Sequence, residues 1–142
     1  MEEFSKYESR VGKIKRAGRP VYAFITDMRN FQQFLPGESI TNWQAEKNSC
    51  EFEVSPVGKT RLKIVDMEEN KVVKYEGDGL NNTSFFLWVQ LKEIDLYDTR
   101  VKITIKADLN AMLRMMAAKP INDFLEKLVT GMENFDGWID SD

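Results

Sequence analysis

The chain has 142 residues, with 20 Lys+Arg against 23 Asp+Glu, a formal net charge of −3, one Cys and no His. Without His there is no Ser/His/Asp or Cys/His catalysis, no His-ligated zinc and no histidine pH switch, and one Cys excludes an intrachain disulfide and a Cys-only metal site. The length predicts one domain over residues 1–142, and 42% hydrophobic and 11% aromatic content predict a packed core.

The start, Met1-Glu2-Glu3-Phe4-Ser5-Lys6, is acidic and lacks an apolar stretch, so no signal peptide is expected. The longest strongly apolar run, Phe85 to Val89, is far below the ~20 residues of a membrane span. A cytoplasmic protein without integral membrane insertion is the expectation.

Phe4 to Arg16 reads as a strand with Tyr7, Ser9 and Val11 on one face, and the slip to Ile14 predicts a bulge or bend at Gly12. Ala17-Gly18-Arg19-Pro20 breaks the chain, and Pro20 suits the first turn of a short helix carrying Val21, Phe24 and Ile25. Asp27 is placed to cap a second short helix with Phe31, Phe34 and Leu35, ended by Pro36-Gly37.

From Ile40 onward the apolar period changes to two residues. Ile40 to Ala45 and Ser49 to Val54 are one broken strand or two. Pro56-Val57-Gly58 is a turn, followed by the strand Thr60 to Met67 with Leu62 and Ile64 on one face and Arg61 and Lys63 on the other. After the polar turn Glu68 to Asn70 come the strand Val72 to Gly77 and a long hairpin of Ser84 to Glu93 and Arg100 to Leu109. Val101, Ile103 and Ile105 alternate with Lys102, Thr104 and Lys106, the pattern of an antiparallel sheet with one apolar and one wet face. The strand Ser84 to Glu93 is apolar on both sides, so its inward face stays open. If Phe85 and Leu87 point inward, Phe86 and Trp88 form a patch suited to a partner or a homodimer.

Asn110 to Phe135 has apolar residues at three- and four-residue spacings, with Asn110 as N-cap and Pro120 expected to kink or divide the helix. The fold class is therefore α+β: an antiparallel sheet of six to seven strands, two short helices after the first strand, and a long C-terminal helix. Only that helix is large enough to cover the apolar face of the sheet.

This order resembles the START-related helix-grip superfamily, also called SRPBCC, and within it the polyketide cyclase/dehydrase-like proteins. The resemblance covers nearly the whole chain. It is carried by Val21-Tyr22-Ala23-Phe24-Ile25-Thr26-Asp27 after the Gly-Arg-Pro break, by the two short helices ending at Leu35-Pro36, and by the strand Thr99-Arg100-Val101-Lys102-Ile103-Thr104 feeding the terminal helix. It implies a curved sheet wrapped around the C-terminal helix with an apolar cavity between them. Such proteins commonly bind lipids, polyketides or other hydrophobic molecules, and only some catalyse a reaction. The histidine iron ligands of the Rieske oxygenase relatives are absent from this sequence.

The expected function is binding of a small hydrophobic ligand, lipid-like or polycyclic, in that cavity. The expected wall is Phe52, Leu62, Ile64, Tyr75, Leu87, Val89, Ile103, Ile105, Met112, Met115, Met116 and Phe124. The methionines would give it an adaptable surface, and the competing reading is that these side chains fill a solid core. Tyr75, Tyr97, Trp43 and Trp88 are candidates for polar tips beside the ligand. Cys50 reads as a small buried hydrophobe.

No catalytic motif emerges. Glu38, Asp66, Glu76 and Asp78 are not spaced as a general acid/base pair. Gly58-Lys59-Thr60 lacks the earlier glycine of a phosphate loop, and Asp66 to Gly77 has Lys71 and Gly77 where a calcium loop needs glycine and glutamate. No metal or cofactor is expected. Arg10, Lys13, Lys15, Arg16 and Arg19 form a basic run, read as an exposed strand face and turn, with no nucleic-acid partner given the acidic total. Two alternatives to ligand binding remain: an interaction module docking through the aromatic patch or the terminal helix, and a cyclase- or dehydratase-type enzyme using Tyr75 or Arg114 in the same cavity.

Overall fold

In the computed structural model, which describes residues 5–34, 40–54, 58–79 and 84–138, the first expected strand is broken where its apolar pattern slips. β1 (Ser5–Glu8) and β2 (Gly12–Ile14) pair antiparallel with two parts of one long strand, β8 (Asp98–Ala107), through Ser5↔Ala107 and Gly12↔Val101. At the break Ser9 is buried and its Oγ accepts the Ile103 N–H at 2.9 Å, whereas Val11 turns to solvent and leaves the face of Tyr7. The cause is close packing by the C-terminal helix, α2 (Ala111–Asn134): a Cβ on Gly12 would lie 2.5 Å from Val129 Cγ1. Gly12→Ala is therefore expected to cost about 1 kcal/mol by overpacking, read as a lower urea midpoint at unchanged m.

α1 (Gly18–Ile25) carries Pro20 in its first turn and buries Val21, Phe24 and Ile25. Asp27 then accepts the Arg29 backbone N–H at 3.0 Å and opens a 3₁₀ helix, Met28–Phe34. Phe31 and Phe34 of that helix are buried, and Phe34 joins Phe24, Phe135 and Trp138 in one aromatic cluster. Phe4, Leu35, Pro36-Gly37, Glu38 and Pro56-Val57 lie outside the described residues.

The rest of the sheet is a meander. β3 (Ile40–Ala45), β4 (Ser49–Val54), β5 (Gly58–Glu68), β6 (Val72–Asp78), β7 (Ser84–Asp95) and β8 follow one another antiparallel, and the order across the sheet is β1-β8-β7-β6-β5-β4-β3 with β2 also on β8. Register shifts between Thr41 and Gln44 and between Ile64 and Asp66 bend the sheet. Asn42 (φ 54°) and Asn70 (φ 61°) take the left-handed conformation, which asparagine tolerates better than most side chains.

Phe85, Leu87, Val89 and Leu91 of β7 face inward and are buried. Phe86 and Trp88 lie on the outer face, half-buried: Lys74 Nζ sits 4.5 Å from the Phe86 centroid and 5.4 Å from that of Trp88, and Lys106 Nζ is 5.7 Å from Trp88. Lysine heads and stems cover these rings, so the patch is not bare.

α2 runs unbroken for 24 residues, and Asn110 Oδ1 accepts the Leu113 N–H at 2.9 Å as its N-cap. Pro120 does not divide it, but leaves the Met116 carbonyl without the N–H of residue 120. Its buried stripe is Ala117, Ile121, Leu125, Leu128, Val129 and Met132. The sheet covers this stripe, which makes the architecture an α+β helix grip with its core between sheet and α2.

Candidate functional site

Beneath the middle of α2 the packing is incomplete. A cavity of about 50 Å³ is lined by Phe52 and Val54 of β4, Thr60 and Leu62 of β5, Phe85 and Leu87 of β7, Ile105 of β8, and Pro120, Ile121 and Phe124 of α2. Strand register brings these side chains together: Phe52 pairs with Thr60, and Leu87 with Ile105. Leu62 pairs with Gly77, which pairs with Phe85. At Gly77 the missing side chain matters, because a Cβ there would lie 2.3 Å from the Phe85 ring. The ring thus lies directly across β6 and forms one wall of the cavity. On α2, residues one and four positions apart place Ile121 and Phe124 beside Pro120 on the sheet-facing side.

Among the described residues, Thr60 supplies the one polar side chain of this lining, and its Oγ1 donates to the Gly58 carbonyl at 3.3 Å. Such a wall recognises a guest by apolar burial and shape. Its present volume, about 50 Å³, is well below the roughly 300–1,000 Å³ of ligand pockets, so a ligand of ordinary size requires the site to widen.

The expected wall residues separate into three groups. Phe52, Leu62, Leu87, Ile105 and Phe124 line the cavity. Tyr75, Val89 and Ile103 are buried in the core outside the lining, and Ile64 is half-buried against that core. Met112, Met115 and Met116 stand as a correction: they are 70%, 85% and 65% exposed, outside the cavity. The buried row runs Ala117, Ile121, Leu125, with Leu113 half-buried ahead of it. At about 100° per residue, all three methionines project roughly 120–160° from the centre of this row, on the far side of the helix. Arg114, expected in the cavity as a catalytic alternative, is exposed as well. Sequence reasoning missed Val54, Thr60, Phe85, Pro120 and Ile121 as lining residues. Phe85 was hidden by the two-sided apolarity of its strand, and Pro120 was legible only as a helix breaker.

Residues 12–134 match the family model for CoxG, a carbon monoxide dehydrogenase subunit. The chain belongs to the CoxG family. No curated protein matches it in sequence. Norcoclaurine synthase from Thalictrum flavum, solved in complex with dopamine and hydroxybenzaldehyde, has a TM-score of 0.70 at 8% identity, covering 93% of this chain and 86% of that one. A START superfamily protein from Mycobacterium smegmatis has a TM-score of 0.64 at 9% identity, covering 92% and 95%. The Mll3558 protein from Rhizobium loti has a TM-score of 0.61 at 12% identity, covering 92% and 99%. At these identities the likeness is one of fold: the CoxG chain has the START-like helix-grip fold.

The polar tips expected near a ligand are elsewhere in this CoxG chain. Tyr75 is fully buried and its hydroxyl donates to the Ile25 carbonyl at 3.1 Å, so it ties β6 to the end of α1; burial pushes the phenol far above its ordinary value of 10. Trp43 stacks on Phe52 at 5.5 Å, Tyr97 is exposed in the β7–β8 turn, and Trp88 is on the outer face. Burial pushes the Cys50 thiol up to about 12, with a hydrogen bond at Leu62 only partly opposing it. Native protein at neutral pH is therefore expected to resist a thiol reagent that labels it fully in denaturant; rapid native labelling would contradict the burial of Cys50.

Two residues of the basic run, Arg10 and Lys13, are engaged with α2 and β8. Arg10 pairs with Glu133 at 2.7 Å and Glu126 at 3.4 Å and donates to Thr130 Oγ1 at 2.8 Å, while the Lys13 backbone N–H donates to Glu133 at 2.9 Å. Lys13 Nζ lies 3.8 Å from Asp98. The Arg10 hydrogen bond holds the Glu133 carboxyl below its ordinary value of 4.5. A carboxyl depressed in the folded state stabilises above its unfolded value, and that contribution is lost as pH falls through the folded value. The stability gap between the native chain and Glu133→Gln is thus expected to be constant near neutrality and to shrink as pH falls below 4.5. Urea titrations across that range measure it.

A larger concavity, about 620 Å³, opens on the outer face of the sheet among Glu46, Glu51, Arg61, Lys63, Glu76 and Asp78. Arg61 is 3.6 Å from Asp78 and Lys59 is 2.9 Å from Glu51, so this surface is charged, internally paired and unsuited to an apolar guest. Among the described residues, no group of three or more His, Cys, Asp or Glu side chains is arranged to hold a metal ion, and no helix is long and apolar enough to cross a membrane.

Proposed function

We propose that this CoxG-family chain binds a small hydrophobic molecule, lipid-like or polycyclic, between its sheet and α2, and carries it without transforming it. The observation that supports this reading is the lining of the cavity, nine apolar side chains and Thr60. Burying apolar ligand surface there would contribute roughly 25 cal/mol per Å². Norcoclaurine synthase, similar in fold, holds small aromatic molecules, dopamine and hydroxybenzaldehyde, and such guests belong to the class proposed. The family description, a subunit of carbon monoxide dehydrogenase, supports a carrier that serves an enzyme. The cytoplasm is the compartment this reading assumes.

A cyclase- or dehydratase-type reaction finds little to work with in this lining. Tyr75 is tied to the Ile25 carbonyl and Arg114 faces solvent. Docking of a second copy or another partner on the outer face is the alternative favoured by one observation, the Phe86–Trp88 pair at 5.9 Å on an otherwise polar surface. Light scattering on the native chain and Trp88→Ala tests it, and a monomer at every concentration ends the homodimer.

The ligand itself is tested by native mass spectra of freshly purified protein beside denatured spectra of the same sample. An excess mass lost on denaturation is the expected result. The companion experiment is a titration with anilinonaphthalene sulfonate, expected to saturate at one site and to weaken in Leu62→Phe, which fills the cavity. A clean mass together with no saturable binding would overturn the proposal.

A further inference from the structure

The outer face of the sheet carries charges of both signs, and the fold sorts them into two halves. On β1, β2, β7 and β8 the outward side chains Lys6, Lys13, Lys92, Arg100, Lys102 and Lys106 outnumber Glu8 and Asp98. On β4 to β6 and the β3–β4 turn, Glu46, Glu51, Glu53, Asp66, Glu76 and Asp78 outnumber Lys59, Arg61, Lys63 and Lys74. Ion pairs inside each half leave the imbalance standing: Lys6 and Lys102 share Glu8, and Lys13 and Arg100 share Asp98. Among the described residues Lys92 and Lys106 have no carboxylate partner, and Glu46 and Glu76 have no basic one.

The halves also differ in relief. The concavity of about 620 Å³ lies in the acidic half, between Glu46 and Asp78. The basic half bears the outward rings of Phe86 and Trp88 on β7, 5.9 Å apart, with Lys74 and Lys106 over them. In the order β1-β8-β7-β6-β5-β4-β3, β7 adjoins the middle strand, so the rings sit near the centre of the face. The centre is where an interface keeps its dry aromatic anchors. Strands about 4.8 Å apart make a face about 29 Å wide, and β7 runs about 37 Å along it. That is room for the roughly 800 Å² that each partner gives to a standard interface.

We propose that this face pairs with the same face of a second copy, about a twofold axis parallel to the strands near the middle of the sheet. The rotation lays β7 and β8 of one copy over β5 and β4 of the other, basic half on acidic half, twice. A face divided in this way is its own complement. A polyanion or a uniformly acidic partner is attracted by one half and repelled by the other, which selects the second copy as occupant. The aromatic pair supplies the apolar centre, and the charges fix the orientation. The cavity lies on the inner side of the sheet, so the pairing stands whatever the chain binds there.

Sedimentation velocity on the full chain tests it. A dimer is expected, with a dissociation constant that rises at least about tenfold between about 50 mM and about 500 mM salt. Trp88→Ala is expected to weaken it at least about tenfold. Lys92→Glu with Lys106→Glu reverses the basic half, and Glu46→Lys with Glu53→Lys reverses the acidic one. Either double variant alone sets like charge on like in both contacts and is expected to be monomeric. An equimolar mixture of the two is expected to dimerise again, because reversed half meets reversed half and native half meets native half. Circular dichroism confirms that each variant is folded, and the rescue itself requires it. A native chain that is monomeric up to about 1 mM overturns the pairing. So do folded variants that dimerise unchanged, or a mixture of folded variants that stays monomeric. A monomer that instead binds polyglutamate or a single-stranded oligonucleotide through Lys92 and Lys106 overturns it in favour of an acidic partner.

Discussion

Leu125→Ala is expected to lower the unfolding free energy by about 3 kcal/mol, whereas Met115→Ala is expected to change it by no more than about 0.5 kcal/mol. Both are long apolar side chains on α2, ten residues apart in a sequence whose periodicity includes both. Leu125 is fully buried against the sheet, so truncation removes its transfer free energy and leaves a void that its surroundings close only in part. Met115 is 85% exposed and gives up almost no burial. Urea unfolding at constant m measures both values. Comparable losses at the two positions would mean that α2 sits rotated about its axis, with the methionines against the sheet and the expected methionine wall restored.

The second large effect is at Tyr75. Tyr75→Phe is expected to cost about 2 kcal/mol, because the ring stays in place while the Ile25 carbonyl loses its donor in a site closed to water. The same variant is expected to bind anilinonaphthalene sulfonate within about twofold of the native chain, since the hydroxyl is committed to the backbone and Tyr75 lies off the cavity lining. Unchanged stability with lost probe affinity would return Tyr75 to the ligand. The pair of readouts separates an anchor from a recognition group, which affinity alone cannot do.

Local reading of the chain succeeds at other positions. The strand Val101 to Lys106 was legible because alternate residues face core and water over consecutive positions. The start of α2 was legible because Asn110 can accept the N–H of Leu113 whatever surrounds it. The Gly-Arg-Pro break and the Asp27 cap are equally local, and together with the strands they carry the helix-grip resemblance over nearly the whole chain. In the cavity, Phe52, Leu62, Leu87, Ile105 and Phe124 are each an apolar residue on the inward side of its own element.

The methionines failed for a physical reason: helical spacing defines a stripe, but not which side of the helix meets the sheet. That phase is set by Leu125, Leu128 and Val129 and by the Arg10–Thr130 contact, which joins residues 120 positions apart. The inward face of β7 was equally open, since Phe85 and Phe86 are the same residue type; the bare backbone of Gly77 on the neighbouring strand makes room for one ring and not the other. By itself, then, the sequence determined the elements, their order, the apolar side of most strands and the exclusion of histidine chemistry, because these depend on composition and on neighbours a few residues away. The rotation of α2, the commitment of the Tyr75 hydroxyl and the gap beneath Pro120 arise only when distant surfaces meet, because a cavity is a mismatch of volumes between elements and belongs to none of them.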